Sequence, residues 1–349
     1  MQTDFHHAVT YALARLAGFS PAEASVVGYA AQYVDDAVEE GTILFDTGAM
    51  YTRTSSAHKT LDYRNFAQLA NSRVWVPFHF LPGNGGLPAG QEPPGSFIDK
   101  LITRPDSPVA RDMIAAVIAD RGEPWALHRL GITMHVYADT WAHQGFAGVS
   151  HVINNATDIT GEDGQPDNDL GDRLKNFFVN NALPLGHGTV LSNPDKPWLV
   201  WAYTNGLGHR IERNNPRDYL EACEKMCRAM QAFRAGDVNA PVSGLKTADA
   251  ETFVKLLTMT KVNEEEARHK AWIDFIARGA FSFGSDRPAY AARGAGSWKQ
   301  AAIGDVAEDA VRYTPAFLQS DWKMFHDALM AHRFEIVHRV LPRYGICIG

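Results

Sequence analysis

The chain has 349 residues, 45% hydrophobic and 21% charged, with a formal net charge of −7. That balance excludes wholesale disorder, and the length allows a substantial core without disulfide staples. With 33 basic against 40 acidic residues and no dense Lys/Arg run, a charge-driven nucleic-acid partner is not expected. A pocket acting on a single phosphodiester stays open, because metal ions can supply the neutralising charge.

The start, MQTDFHHAVTYALARLAG, lacks a basic n-region followed by an unbroken apolar run, so a secretory signal is not expected. No stretch approaches the roughly 18 apolar residues of a membrane span. The expected location is therefore the cytoplasm. Length alone suggests about two domains. The helical pattern instead reads as a single helical domain over 1–349, with a core site region 1–210 and a C-terminal helical portion 211–349.

In chain order, a short helix is expected from about Asp4 to Ala17, closed by Gly18. Ser20-Pro21-Ala22-Glu23 then reads as a capping box with Pro in the first turn, opening a helix to about Glu40. That helix carries Asp35 and Asp36 near its end. Residues 41–80 read as irregular, with an aromatic run from Val74 to Phe80. Residues 82–96 form a Gly- and Pro-dense loop, read as a lid or a plain connector. A helix near 105–120 precedes a central helix near 124–144. The acidic stretch 161–172 does not match an EF-hand loop and reads as solvated. Amphipathic helices follow near 216–235, 246–260, 263–280, 298–313 and 321–341. Strand alternation is scarce, so the fold class expected is all-α, a multi-helix bundle with a metal site around its buried central helix. Cys223 and Cys227, four apart, read as reduced thiols on one helix face; with Cys347 they are too few for a disulfide framework.

The central helix carries the chemistry. At about 100° per residue, with His128 at zero, His135 falls near −20°, Asp139 near +20° and His143 near +60°. Leu127, Leu130, Ile132, Met134, Val136, Ala138 and Trp141 make the other faces apolar, so the helix reads as buried. Buried histidines and a carboxylate are costly unless paired or bound to metal. Neutral imidazole and carboxylate are ligands for zinc, with iron or manganese as alternatives. The bland alternative is a hydrogen-bonded network in which Asp139 orients core histidines.

Further ligands are sought on other elements. His6 borders the apolar stripe of the first helix, whereas His7 points largely away. Asp35 and Asp36 lie equally far from their helix's apolar centre, so either is a candidate ligand or catalytic base. Two acids at a helix C-terminus oppose the dipole, which a cation would relieve. His79 sits among Val76, Phe78 and Phe80. His187, in a Gly-rich loop, is a weaker candidate, for which His151 or His209 could substitute.

DFHHAVTYALARLAGFS, AAQYVDDA, PFHFLPG and YADTWAHQGF together resemble an uncharacterised bacterial family, a domain of unknown function. More distantly, the early His, the Asp on the second helix and His135-x3-Asp139 resemble the zinc-dependent phospholipase C and fungal single-strand nuclease superfamily. That resemblance implies up to three zinc ions activating water against a phosphodiester, with a small-molecule or lipid-like substrate. Here His143 follows Asp139 by four residues rather than six. The N-terminal Trp amine that secreted members use as a ligand has no expected counterpart in a chain beginning Met-Gln-Thr-Asp.

Two rivals remain. Glu266/His269 and Glu335/His338 have the Glu-x-x-His spacing of di-iron bundles, but both pairs read as solvent-facing. A non-catalytic helical protein with a structural metal or polar network is the other. A serine hydrolase is not indicated, because no G-x-S-x-G elbow is present. Oligomeric state is not legible.

Overall fold

The computed structural model describes residues 1–57, 68–161, 190, 192–304 and 311–348. The chain opens with a π-helical segment, Asp4–Val9, that continues as helix α1, Thr10–Leu16. Helix α2, Pro21–Asp36, starts on the capping box its sequence encodes: the Ser20 side chain accepts from the Glu23 N–H, and the Glu23 carboxylate accepts from the Ser20 N–H at 2.8 Å. A hairpin of β1, Gly41–Leu44, and β2, Met50–Arg53, follows. Helix α3, Gln68–Phe78, ends just after Pro77, which cannot donate to the helical ladder. Short α4, Ile98–Leu101, leads to α5, Pro108–Ala119, and then to the central helix α6, Ala126–Ala142.

Strand β3, Ala156–Thr160, pairs antiparallel with β4, Val200–Asn205, which pairs antiparallel with β5, Arg210–Asn214. The C-terminal part adds α7, Asn215–Ala235; α8, Thr247–Met259; α9, Glu265–Ala277; α10, Trp298–Ile303; and α11, Asp321–Glu335.

The expected all-α class is therefore corrected: the fold is mixed, with a two-stranded and a three-stranded antiparallel sheet among the helices. The strands escape a search for long alternation because each has only four to six residues. β4 does alternate, burying Trp201, Tyr203 and Asn205 on one side. The irregular reading of 41–80 fails likewise, since the aromatic run at 74–78 is the end of a helix. The helix expected over 298–313 stops at Ile303, before Gly304 with φ of +76°. Among the described residues, no helix is long and apolar enough to cross a membrane.

Helix α6 is buried along nearly its whole length, as its all-round apolar sequence requires. Leu130, Met134, Val136 and Trp141 pack into the main core with α1, α5 and α7; Ile132 joins Tyr33, Trp322 and Phe325 in a second core. The closest approach is to α2. A Cβ on Gly131 would lie 2.4 Å from the Val27 carbonyl oxygen, and one on Gly28 would lie 3.1 Å from the His7 carbonyl oxygen. These glycines let α2 seat against both α6 and the N-terminal segment, which brings the polar side chains of three elements to one place. Cys223 and Cys227 are buried free thiols on α7, and Cys347 is exposed.

Candidate functional site

Five side chains converge where α2, α6, the N-terminal segment and the end of α3 meet. His6, His135 and Asp139 each offer a donor atom within 4.8 Å of one another, and Asp35, His79 and His135 do the same. The two carboxylate oxygens of Asp139 face different neighbours. Oδ1 lies 3.3 Å from His6 Nε2 and 2.6 Å from the Met1 amino nitrogen; Oδ2 lies 3.3 Å from His135 Nε2 and 3.5 Å from His79 Nδ1. Asp35 Oδ1 stands 3.8 Å from both His79 Nδ1 and His135 Nε2.

The backbone fixes which imidazole nitrogens carry protons. A carbonyl only accepts, so the ring nitrogen facing it is the N–H. His135 Nδ1 donates to the Ala31 carbonyl at 2.7 Å, and His79 Nε2 donates to the Ser56 carbonyl at 2.8 Å. Their remaining nitrogens, His135 Nε2 and His79 Nδ1, then face each other across 3.2 Å. His6 stacks on His135 with ring centroids 3.8 Å apart, and neither of its ring nitrogens has a hydrogen-bond partner among the described residues. Beyond the Met1 amino group, the cluster is made of imidazole nitrogens and carboxylate oxygens.

Electrostatics sharpens the picture. Burial, helped by the neighbouring His135, drives the His6 pKa well below its ordinary value; burial brings His135 to about 4. Both rings are thus neutral near pH 7. Burial opposes ionisation of Asp139, but His143, the Met1 ammonium, His135 and His6 overcome it and hold the carboxyl well below its usual range. Burial likewise opposes the Met1 ammonium, yet Asp139, Asp195 and Asp35 raise it to about 11. Asp35 shifts the other way, upward, through burial and then repulsion from Asp139. Its side chain has 35% of its surface accessible, whereas those of His6, His135 and Asp139 show 0–1%.

His143 caps the end of α6 and is not within either donor group. Its Nδ1 donates to the His79 carbonyl at 2.7 Å while its ring stacks on Phe80, so it braces the backbone of His79. Asp36 turns away to accept hydrogen bonds from the Tyr290 hydroxyl and, at 3.2 Å, from Gln32 Nε2. His128 bonds Asp321 at 2.9 Å. His151 accepts from the Ile153 N–H at 3.1 Å. His187 lies outside the described residues.

Three readings of individual residues need correction. His7 does not point away: it is fully buried, and its Nδ1 meets His269 Nε2 at 2.8 Å. The cause is the π-helical start, whose wider i→i+5 turn shifts the phase that an α-helical wheel assumes. His269, read as solvated, is half-buried for the same contact, whereas Glu266 and His338 are exposed. Finally, an amino group does reach the site, that of Met1. Asp195 was missed altogether, although its Oδ1 lies 3.4 Å from that nitrogen. It sits in a short 3-10 turn, Asn193–Asp195, where no periodicity marks it.

The donor set, imidazole nitrogens with carboxylate oxygens, suits zinc, iron(II) or manganese(II). Residues 1–340 match the model of a family of unknown function, DUF6765, and the chain belongs to that family. No curated protein and no solved structure matches it.

Proposed function

We propose that this member of the DUF6765 family is a metal-dependent hydrolase whose cluster of His6, Asp35, His79, His135 and Asp139 holds one or more divalent ions, zinc foremost. The observation that carries the reading is the facing pair His135 Nε2 and His79 Nδ1, 3.2 Å apart, with each partner nitrogen already donating to a carbonyl. With the outer nitrogen of each ring taken up by a carbonyl, the two inner nitrogens are turned toward one place, where a cation would use both as ligands. Such an ion would supply Lewis acidity, lowering the pKa of a bound water toward about 7 and polarising a phosphoryl or carbonyl oxygen.

The chain's own residues do the rest. The carbonyls of Ala31 and Ser56 fix the two tautomers, as outer partners of metal-bound histidines do. His143 holds the backbone at His79. The packed flanks of α6 keep bulk water from His6, His135 and Asp139. Asp35 is the side chain of the cluster with substantial access to solvent, so substrate and water would arrive past its carboxylate. A phosphodiester is the first substrate to try, on the distant resemblance to zinc-dependent phospholipases and nucleases. Stripped protein given zinc should hydrolyse a chromogenic phosphodiester. Inactivity of zinc-loaded protein on phosphodiesters, phosphomonoesters and carboxylic esters alike would overturn the hydrolase reading.

A second reading rests on the 2.6 Å contact between the Met1 ammonium and Asp139. That pair already balances the buried carboxylate, which favours a polar network that only secures the fold. Under it, Asp139→Asn would lower the melting temperature sharply and zinc would leave the wild type unchanged.

A further inference from the structure

The amide of Gln32 lies one turn before the two acids of α2, and it is 4% exposed. Its Nε2 lies 3.5 Å from Asp35 Oδ2 and 3.2 Å from Asp36 Oδ2. Two carboxylates can only accept, so the NH2 end of the amide is the end facing them. Asp36 is in turn held by the Tyr290 hydroxyl, and the Tyr290 ring is wedged against Tyr29 at 4.7 Å and His7 at 5.3 Å. The result is a chain from a packed tyrosine through Asp36 and Gln32 to the outer oxygen of Asp35. The inner oxygen of Asp35 is the one facing His79 and His135.

Packing alone gives no reason for an amide here. Gln32 Oε1 is buried and has no hydrogen-bond partner among the described residues, so an apolar side chain of the same length would suit a purely structural position better. We infer that Gln32 is a positioning residue which, braced by Asp36 and Tyr290, fixes the Asp35 carboxylate so that its other oxygen is presented to the metal. This rests on the metal reading above. Ligating carboxylates are generally held by hydrogen bonds to their outer oxygen, and loss of such a partner typically costs about 10- to 100-fold in metal affinity.

The test is zinc titration of the full chain after chelation, with the melting temperature of the metal-free protein read in parallel. Gln32→Met should weaken zinc binding by about 10- to 100-fold while the metal-free melting temperature holds or rises. Tyr290→Phe keeps the ring packing and removes only the brace, so it should weaken zinc in the same direction by less; it also serves if Gln32→Met fails to fold. In Asp35→Asn, adding Gln32→Met should cause no further loss, because Gln32 acts through Asp35. Zinc affinity unchanged in Gln32→Met and Tyr290→Phe, or full additivity in the double variant, would overturn the inference and leave the metal reading standing. No zinc uptake by the wild type would overturn both.

Discussion

Two carboxylates lie near the central helix, half-buried Asp106 and buried Asp139, and they are treated in opposite ways. Asp106 accepts from the Tyr137 hydroxyl of α6 at 2.7 Å, from Lys225 at 2.6 Å and from Arg111 at 2.9 and 3.1 Å. Burial opposes its ionisation, but the hydrogen bonds from Arg111, Lys225 and Tyr137 outweigh it and lower its pKa. Asp139, two residues along α6 from Tyr137, is ringed by His6, His79, His135 and His143 at 3.3–3.6 Å, with the Met1 ammonium as its short contact. Two cationic side chains and a hydroxyl saturate the first centre. The second has one ammonium and is otherwise surrounded by imidazole rings. The difference between the two centres is the ring of imidazoles, and it is on these that the proposed metal site rests.

The largest expected effect comes from breaking the second centre. Asp139→Asn keeps the shape and removes the charge; zinc affinity should fall by at least about 100-fold, and hydrolysis with it. Circular dichroism should show the helices intact, since Leu130, Met134 and Trp141 are untouched. Retained zinc in this variant would place the ion elsewhere.

Acid sharpens the same contrast. His135 titrates near 4, and His7, His326 and His332, all buried, near 3, each depressed first by burial. Their unfolded-state values are near 6.5. Folded pKa values below unfolded ones mean that the unfolded chain binds more protons, so stability present above about pH 6.5 is lost as pH falls toward 4 and then 3. Metal-free protein should show a melting temperature that drops steadily through this window, and zinc should be released in its upper part. A flat profile from pH 6.5 to 4 would contradict the buried neutral rings.

Packing variants are expected to cost less. Gly131→Leu forces a side chain into the Val27 carbonyl; overpacking of this kind costs about 1–3 kcal/mol, and by moving α2 from α6 it should weaken zinc as well. Chemical denaturation and zinc titration together would show both losses. Asp106→Asn should destabilise by a similar or smaller amount, about 1–3 kcal/mol, and leave zinc affinity within twofold. If Asp106→Asn disturbed zinc as much as Asp139→Asn, the two centres would not be distinct. The smallest effect is Asp35→Asn in metal-free protein. Its carboxyl pKa is raised, so ionisation works against the fold above the unfolded value near 3.9. A slightly higher melting temperature at pH 7, alongside weaker zinc binding, is the expected pair of results.

How much of this was legible in the sequence divides along physical lines. The pairing of His135 with Asp139 on α6 was, because burial of the neighbouring faces is itself written in apolar residues, whereas His128 and His143 share the stripe and go to Asp321 and the His79 carbonyl instead. The capping box at Ser20 was, because it is local chemistry. His79 could be singled out as an imidazole among aromatic and apolar residues. His6 could be preferred, but His7 was misplaced because wheel arithmetic assumes an α-helical turn and the segment is π-helical. The choice between Asp35 and Asp36 depends on how α2 seats against α6 at Gly131 and against the N-terminal segment at Gly28, which no local pattern declares. Asp195 and the Met1 amine enter through tertiary contact alone. The strands were missed because runs of four to six residues give too few alternations to stand out.

The central claim is tested most directly by elemental analysis of the wild type and Asp139→Asn, each purified without chelator and then dialysed against zinc. At least one equivalent of zinc, iron or manganese in the wild type, and loss of that metal in Asp139→Asn with its helices retained, is the expected result. A wild type that carries no stoichiometric metal and takes up none would contradict the account and leave the cluster as a polar network closed by the Met1 ammonium.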